Sequence, residues 1–384
     1  MNTIYSKIAV ISSPCNDRAW HRYWDIRMTR TALYKLLTTN IKMKKIANLL
    51  LFLLLTVALQ VQSQDRDPYI TKSFSAELVK EVYARTSGGS VDVEGGGSQA
   101  RVEVFIQGNN GRSLSKDDIK ERLEEDYKLE ITVVGGELKV VAEPKDKLFN
   151  WKNALNISFK ISVPQQVSTD VSTSGGSISM KNLAGSQNFS TSGGSLTIDR
   201  LSGRIKGRTS GGSIEVSNTK DNIDLGTSGG SIDADNCNGT MTLSTSGGSI
   251  KLNSLSGQIK ANTSGGPIRG NSIKGELIAH TSGGGVDLED LEGSVDASTS
   301  GGNMEIEINK IDKYVTVHNS GGNIHVSLPA NTGLDLKLRG EHINLQNMQN
   351  FNGNKEEHKV EGKINGGGIP VNIQTSGSVT VALN

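Results

Sequence analysis

The chain has 384 residues, of which 35% are apolar, 4% are aromatic and 45 are glycine. This composition argues against an ordinary globular core. The formal charge of +1 hides an asymmetry, because residues 1–63 carry nine Lys or Arg and two Asp, and the remainder has 32 basic against 38 acidic residues. A mildly acidic body excludes a typical nucleic-acid-binding protein, which needs a basic surface to neutralise phosphates.

The segment that starts at Met43 has the order of a secretory signal peptide. Two lysines are followed by an apolar run over 46–59 and then by small and polar residues. The pattern predicts a signal peptide over residues 43–63, and the run is too short to predict a membrane span. We expect cleavage between about Val61 and Asp67. The mature chain is then exported, to the periplasm, the outer membrane or the cell surface.

Residues 1–42 precede this signal, although a signal peptide normally begins its chain. We interpret them as a start-site artefact or disordered leader, and a genuine amino-terminal extension remains the alternative. One of the two cysteines, Cys15, lies in this segment. Because Cys237 is then alone in the mature chain, we expect no intramolecular disulfide. We predict that Cys237 is a small, buried, unreactive core residue.

The tripeptide SGG recurs every 18 residues. The regular copies begin at Ser174, Ser192, Ser210, Ser228, Ser246, Ser264, Ser282 and Ser300. A further copy follows at Ser320 after 20 residues, and an early copy stands at Ser87. A fixed period of this kind is the signature of a repeat architecture.

Each unit reads approximately TSGGSIxLxxLxGxIxAx. In the unit that starts at Ser246, the apolar positions are Ile250, Leu252, Leu255, Ile259 and Ala261. The alternation before and after Leu255 predicts two short strands in each unit. Such a unit fits one coil of an all-β, single-stranded, right-handed β-solenoid (parallel β-helix), stacked on the next coil at about 4.8 Å. We expect the SGG glycines to have positive φ and the preceding threonines to form a hydroxyl ladder.

A segment between residues 101 and 164 interrupts the repeat. Ser115 and Asp118 have the spacing of a helix N-cap and capping-box acid, which predicts a helix over 115–127. Alternating patterns predict strands over 101–107, 129–134, 137–142 and 156–163. We expect a small α/β insertion that caps the first end of the solenoid within residues 64–167, before the repeats of 168–330.

The last part of the chain, 331–384, is predicted to close the solenoid with further strands. Strand patterns resume over 334–338 and 368–383. The polar stretch between them, 347–359, is predicted to be a loop.

The signal peptide, the early SGG, the strand-helix-strand insertion, the Val163-Pro164 pair and the TSGGSI array together resemble a bacterial family of putative adhesins. The resemblance covers nearly all of residues 70–384. It implies an exported β-solenoid and supplies no defined catalytic motif. Because a shared fold is a weak guide to function, the adhesin role is an expectation by analogy.

Four carboxylates are the strongest candidates for a ligand site. Asp287, Glu289, Glu305 and Glu307 occupy outward positions in two neighbouring coils and are expected to form a two-by-two acidic patch. Carboxylate oxygens are the type of ligand that a hard cation such as Ca²⁺ prefers. Ca²⁺ usually takes six or more oxygen ligands, however, including loop carbonyls that this patch lacks. We predict a solvated acidic face, with a cation site as the alternative.

The histidines predict no metal site. His280 and His318 are expected to stand about 10 Å apart with one coil between them, and His325 lies on the other side of a turn. We therefore assign no catalytic, cofactor-binding or metal-ligating residue, and we expect no cofactor and no enzymatic activity.

The sequence as a whole predicts a non-enzymatic envelope protein that presents a rigid repeat surface for adhesion. A glycan-processing β-helix enzyme and a structural or stress-related envelope component without external ligand are the alternatives. The partner, a surface, glycan or protein, stays open, as does the oligomeric state. Neither nucleic acid nor a membrane span is expected.

Overall fold

The computed structural model describes residues 67–109, 113–145 and 154–384. The predicted leader and signal peptide lie outside these ranges. The amino-terminal elements are β1 (Ile70–Phe74), a 3₁₀ turn (Ala76–Leu78), β2 (Glu81–Thr86), β3 (Val91–Gly95), β4 (Ala100–Gly108), α1 (Lys116–Asp126), β5 (Tyr127–Val134), β6 (Glu137–Pro144) and β7 (Leu155–Val163).

The repeats form the middle of the molecule. Their strands are β8 (Ser168–Thr173), β9 (Ile178–Lys181), β10 (Ala184–Thr191), β11 (Leu196–Asp199), β12 (Ser202–Thr209), β13 (Ile214–Ser217), β14 (Lys220–Thr227), β15 (Ile232–Asp235), β16 (Asn238–Ser244), β17 (Ile250–Asn262), β18 (Ile268–His280) and β19 (Val286–Thr299).

The chain ends in a less regular group of strands. They are β20 (Met304–Asn319), β21 (Ile324–Leu328), β22 (Leu334–Arg339), β23 (Ile343–Gln346), β24 (Phe351–Lys355), β25 (Lys359–Ile364), β26 (Ile369–Thr375) and β27 (Val379–Leu383).

Each repeat pairs in parallel with the next at a shift of 18 residues. Ile205 pairs with Ile223, and Ile223 pairs with Met241. In the units before Ile250, the longer strand builds one side of the stack, here called the broad side. The shorter strand builds the opposite, narrow side, where Ile214 pairs with Ile232. From Ile250 onward, β17, β18 and β19 each run over both sides. The predicted β-solenoid with 18-residue coils is therefore confirmed.

One continuous core lies between the two sides. In the coil of Ser246, the side chains of Ile250, Leu252, Leu255, Ile259 and Ala261 are all buried. The predicted period-two pattern thus places apolar columns inside the coils, and outward positions alternate with them. Gln187 and Thr219 are polar exceptions buried in these columns.

The insertion adds a rung of its own below the first coil. Strand β6 pairs in parallel with β2, and β7 pairs in parallel with β3. Antiparallel partners then end the stack, because β5 pairs with β6 and β4 pairs with β7. The Ser115 hydroxyl accepts a hydrogen bond from the Asp118 N–H at 3.1 Å, as the capping-box prediction requires. The expected α/β insertion is confirmed.

The SGG turns differ from the prediction. Their glycines do not have positive φ; that conformation occurs at two other corners of the coil, such as Ser254 (φ 53°) and Gly257 (φ 115°). The second glycine is needed for another reason. A Cβ on Gly248 would stand 2.1 Å from the carbonyl oxygen of Gly230 in the preceding coil. A Cβ on Gly247 meets its nearest atom at 3.4 Å, an ordinary contact.

The threonines before each SGG also act differently from the expected hydroxyl ladder. The buried Thr245 hydroxyl donates to the Gly230 carbonyl at 2.7 Å and accepts from the Gly248 N–H at 3.3 Å. Each threonine therefore ties its own turn to the turn of the preceding coil. The hydroxyls bond to the backbone rather than to one another because the closely stacked turns leave polar backbone groups to satisfy.

The polar stretch 347–359 is not a loop throughout, so that prediction was wrong. Strand β24 pairs antiparallel with β25, and Phe351 faces Ile364 across the pair. A Cβ on Gly362 would lie 2.6 Å from the Phe351 ring, so the ring covers this glycine. Both strands lie at the end of the sheet, where most side chains face solvent, and the sequence therefore lacks an alternating apolar signal.

Candidate functional site

The predicted acidic patch is exposed and only partly assembled. Asp287 and Glu305 are direct partners in the β19–β20 ladder. The ladder shifts register after Leu288, and Glu289 and Glu307 are not partners in it. The amide of Asn271 donates to Glu289 at 3.2 Å. The two-by-two arrangement that the sequence suggested is therefore broken by the register shift.

The structure groups no ligands for a metal in its described ranges: no set of three or more His, Cys, Asp or Glu side chains there is placed to hold an ion. His280, Ser298 and His318 follow one another in a single outward column. Ser298 Oγ lies 2.6 Å from His280 Nδ1. The serine thus separates the two histidines, as predicted.

Cys237 is buried, with 2% of its surface exposed. Its sulfur lies 3.3 Å from the carbonyl oxygen of Asp235. Burial raises the pKa of the thiol. A thiolate is the reactive form of cysteine, so this environment disfavours nucleophilic chemistry.

A cleft that the sequence did not predict lies on the broad side near the carboxyl-terminal end, with a volume of about 290 Å³. Its floor is formed by β20, β26 and β22, which pair in parallel in that spatial order. We call it the end cleft. Its outward side chains are Thr316, His318, Asn372, Gln374, Lys337 and Arg339, with Glu361 of β25 at the rim.

These side chains form two rows that cross the three strands. One row is Thr316, Asn372 and Lys337, and the other is His318, Gln374 and Arg339. Neighbours within a row stand about 4.8 Å apart at the backbone, and the rows are about 7 Å apart. The apolar residues between them, including Val317, are buried in the core. The end cleft therefore presents amide, hydroxyl, imidazole and cationic groups.

The polar groups of the end cleft are largely free of partners within the described chain. Neighbouring cations on β25 are engaged, because Lys359 pairs with Glu361 at 3.1 Å and Lys363 pairs with Asp335 at 3.5 Å. The structure records no side-chain hydrogen bond or ion pair for either row. On the repeats, by contrast, Arg208 lies 2.6 Å from Asp224 of the next coil.

Sequence reasoning missed the end cleft because its strands are not in chain order. The alternation of Lys337 and Arg339 with leucines is visible in LDLKLR, and so is the alternation around Asn372 and Gln374. Nothing in the sequence shows that β26 inserts between β20 and β22. The sequence does show that Lys337 with Arg339 and Asn372 with Gln374 are outward polar pairs on two predicted strands, which is the one available indication of a shared polar surface.

Comparisons with known proteins find one family model and several solved structures that are similar to this chain. Residues 271–382 match the model of the Toastrack DUF4097 family. Similar solved structures are a putative cell adhesion protein from Clostridium sporogenes (12% identity, TM-score 0.20, covering 82% of this chain and 98% of that one) and a putative lipid binding protein from Parabacteroides distasonis (14%, 0.32, 83% and 97%). A third is a putative adhesin from Bacteroides fragilis (13%, 0.24, 82% and 96%).

A search of curated proteins finds no match. Because the solved structures have low identities and TM-scores, nothing about a ligand follows from them. The family match is independent of them and includes every strand of the end cleft. The resemblance that the TSGGSI array suggested is thereby confirmed, with residues 271–382 similar to the Toastrack DUF4097 family.

Proposed function

We propose that this chain is an exported, non-enzymatic β-solenoid that presents a rigid surface to a partner at the cell envelope and acts in adhesion. The observation that carries the proposal is the continuity of the broad side. Within the described residues, thirteen strands from β6 to β22 pair in parallel without a break. At about 4.8 Å per strand, this side is roughly 58 Å long.

Such a surface supports recognition because its side chains are held in fixed columns. Outward positions on the broad side are polar in nearly every coil, while the inward positions are buried. A preformed surface loses little conformational entropy when it binds an extended partner. Solenoid proteins use long faces of this kind for binding.

Export rests on the apolar segment that follows Met43. In the described ranges, no helix is both long and apolar enough to span a membrane. The proposal therefore predicts a chain that is processed after residue 60 and recovered from the envelope or the cell surface.

The decisive experiment compares adherence of a deletion strain with its parent and with a strain that carries the full-length gene in trans. We expect loss of adherence and its restoration by the full chain. Cell fractionation with an antibody tests export in the same strains. Unchanged adherence of the deletion strain would reject the adhesion role, and recovery of an unprocessed chain in the cytoplasm would reject export.

A further inference from the structure

We propose that the end cleft binds an acidic polysaccharide, a polymer of sugars that carry carboxylates. The inference rests on the proposed function and gives it a ligand class. It starts from two cations of the cleft, Lys337 and Arg339, for which the structure records no ion pair in its described ranges. They stand two residues apart on β22, and both are exposed. Glu361 faces Lys337 across the ladder but pairs with Lys359.

The charges at the end cleft favour an anionic ligand. Lys337 and Arg339 line the cleft, Lys359 faces Arg339 across the ladder, and Glu361 is the carboxylate at the rim. Because Glu361 is already paired with Lys359, the cleft keeps an excess of positive charge. The described body of the chain is mildly acidic by contrast. An arginine with a free guanidinium fits a carboxylate through two parallel hydrogen bonds.

The two amides of the end cleft favour a saccharide among the anionic ligands. Asn372 and Gln374 lie on the central strand β26, each in the middle of its row, beside Lys337 and Arg339 respectively. Each amide offers both donors and an acceptor, and the Thr316 hydroxyl does the same. Groups that donate and accept suit sugar hydroxyls, which also do both. A carboxylate and neighbouring hydroxyls can therefore be held by adjacent columns of the cleft.

The geometry disfavours other polymers. Peptide partners dock through apolar anchors or a free sheet edge, but the apolar side chains here face the core, and β26 is paired on both of its edges. Single-stranded nucleic acids stack their bases on large aromatic side chains, and no Phe, Tyr or Trp lines the cleft. Phosphate sites commonly use free backbone N–H groups, and those of β26 lie in the ladders.

The test measures binding of the full chain to polygalacturonate and to its fully methyl-esterified form, which keeps the sugar backbone and loses the charge. We expect binding to the acid form and at least about tenfold weaker binding to the ester. Lys337→Gln with Arg339→Gln should weaken binding of the acid form by a similar factor. Far-ultraviolet circular dichroism checks that the variants fold.

Matched controls separate this site from general charge attraction. Lys206→Gln with Arg208→Gln removes two positive charges at the same spacing on β12 of the broad side, and it should leave binding unchanged. Asn372→Ala with Gln374→Ala should weaken binding of polygalacturonate but not any binding of polyphosphate. Equal losses in both basic double variants, equal binding of acid and ester, or stronger binding of polyphosphate would each overturn the inference.

Failure of this inference is distinguishable from failure of the proposed function. A chain that binds none of these polymers, in a strain whose adherence still depends on it, rejects the acidic saccharide and keeps the adhesion role. A chain that binds polygalacturonate through the end cleft, in a deletion strain that adheres normally, keeps the saccharide site and rejects adhesion.

Discussion

The regular coils and the carboxyl-terminal end of this molecule share one core but differ in what their outer surfaces do. In the regular coils, several outward groups pair between neighbours, as Lys274 and Glu292 do at 3.3 Å. At the end, the strands leave chain order, and the structure records no ion pair or side-chain hydrogen bond for the two rows of the end cleft. The repeated sequence thus builds the regular stack, and the strands that depart from the repeat form the candidate site.

The junction between the two regions is the 20-residue coil. Leu288 pairs with Ile306 at the usual shift of 18, whereas Val295 pairs with Val315 at a shift of 20. The Ser294 hydroxyl accepts from the Lys313 N–H at 3.1 Å opposite the extra residues. The unequal spacing of the last SGG copies therefore corresponds to a bulge, and the core columns continue on both sides of it.

The largest expected effect breaks the stack in the regular coils. Gly248→Ala places a Cβ 2.1 Å from the Gly230 carbonyl oxygen and should destabilise the protein by about 3 kcal/mol. Gly247→Ala is the matched control and should change stability by less than about 0.5 kcal/mol. Thermal unfolding compares them. Equal losses would show that the turn conformation, rather than the approach of the coils, selects glycine.

This pair also shows what the sequence can reveal. The period of 18 predicts the coil, and the alternation around Leu255 predicts which side chains are buried. The two glycines of SGG look alike in sequence, and only the stacked backbone distinguishes them. The same limit applies to the end cleft and to the rung formed by β6 and β7, because both depend on strands that pair out of chain order.

The next effect tests how the turns are joined. Thr245→Val keeps the side-chain shape but leaves the Gly248 N–H and the Gly230 carbonyl without the hydroxyl between them. We expect a loss of about 2 kcal/mol in the free energy of unfolding. Ser244→Val, on the outer face, should remain within about 0.5 kcal/mol of the parent. If the Thr245 variant is as stable as the Ser244 variant, the threonine hydroxyl does not stabilise the contact between coils.

A smaller effect probes the bulge at the junction. The Tyr314 hydroxyl donates to Glu276 at 2.7 Å, and this hydrogen bond, with burial second, raises the pKa of Tyr314 to about 12. A raised pKa means that the stabilisation is complete below about pH 10 and is lost as the pH rises toward 12. Ultraviolet titration should show Tyr314 ionising late, in addition to Tyr127, whose pKa is raised by burial. Glu276→Gln should lower the pKa of Tyr314, and an unchanged titration would contradict the contact.

The smallest expected effect concerns the acidic patch, which also lies at the junction. Because the register shift separates Glu289 from Glu307 and all four carboxylates are exposed, Ca²⁺ should raise the melting temperature no more than NaCl of equal ionic strength. Salt of any kind relieves like-charge repulsion. A specific site would instead stabilise the folded chain by about 2.7 kcal/mol at a hundredfold excess over its dissociation constant. A Ca²⁺-selective rise that disappears in Glu305→Gln with Glu307→Gln would place a second binding site at the junction. The end cleft would then no longer differ from the regular coils in offering a site for a ligand.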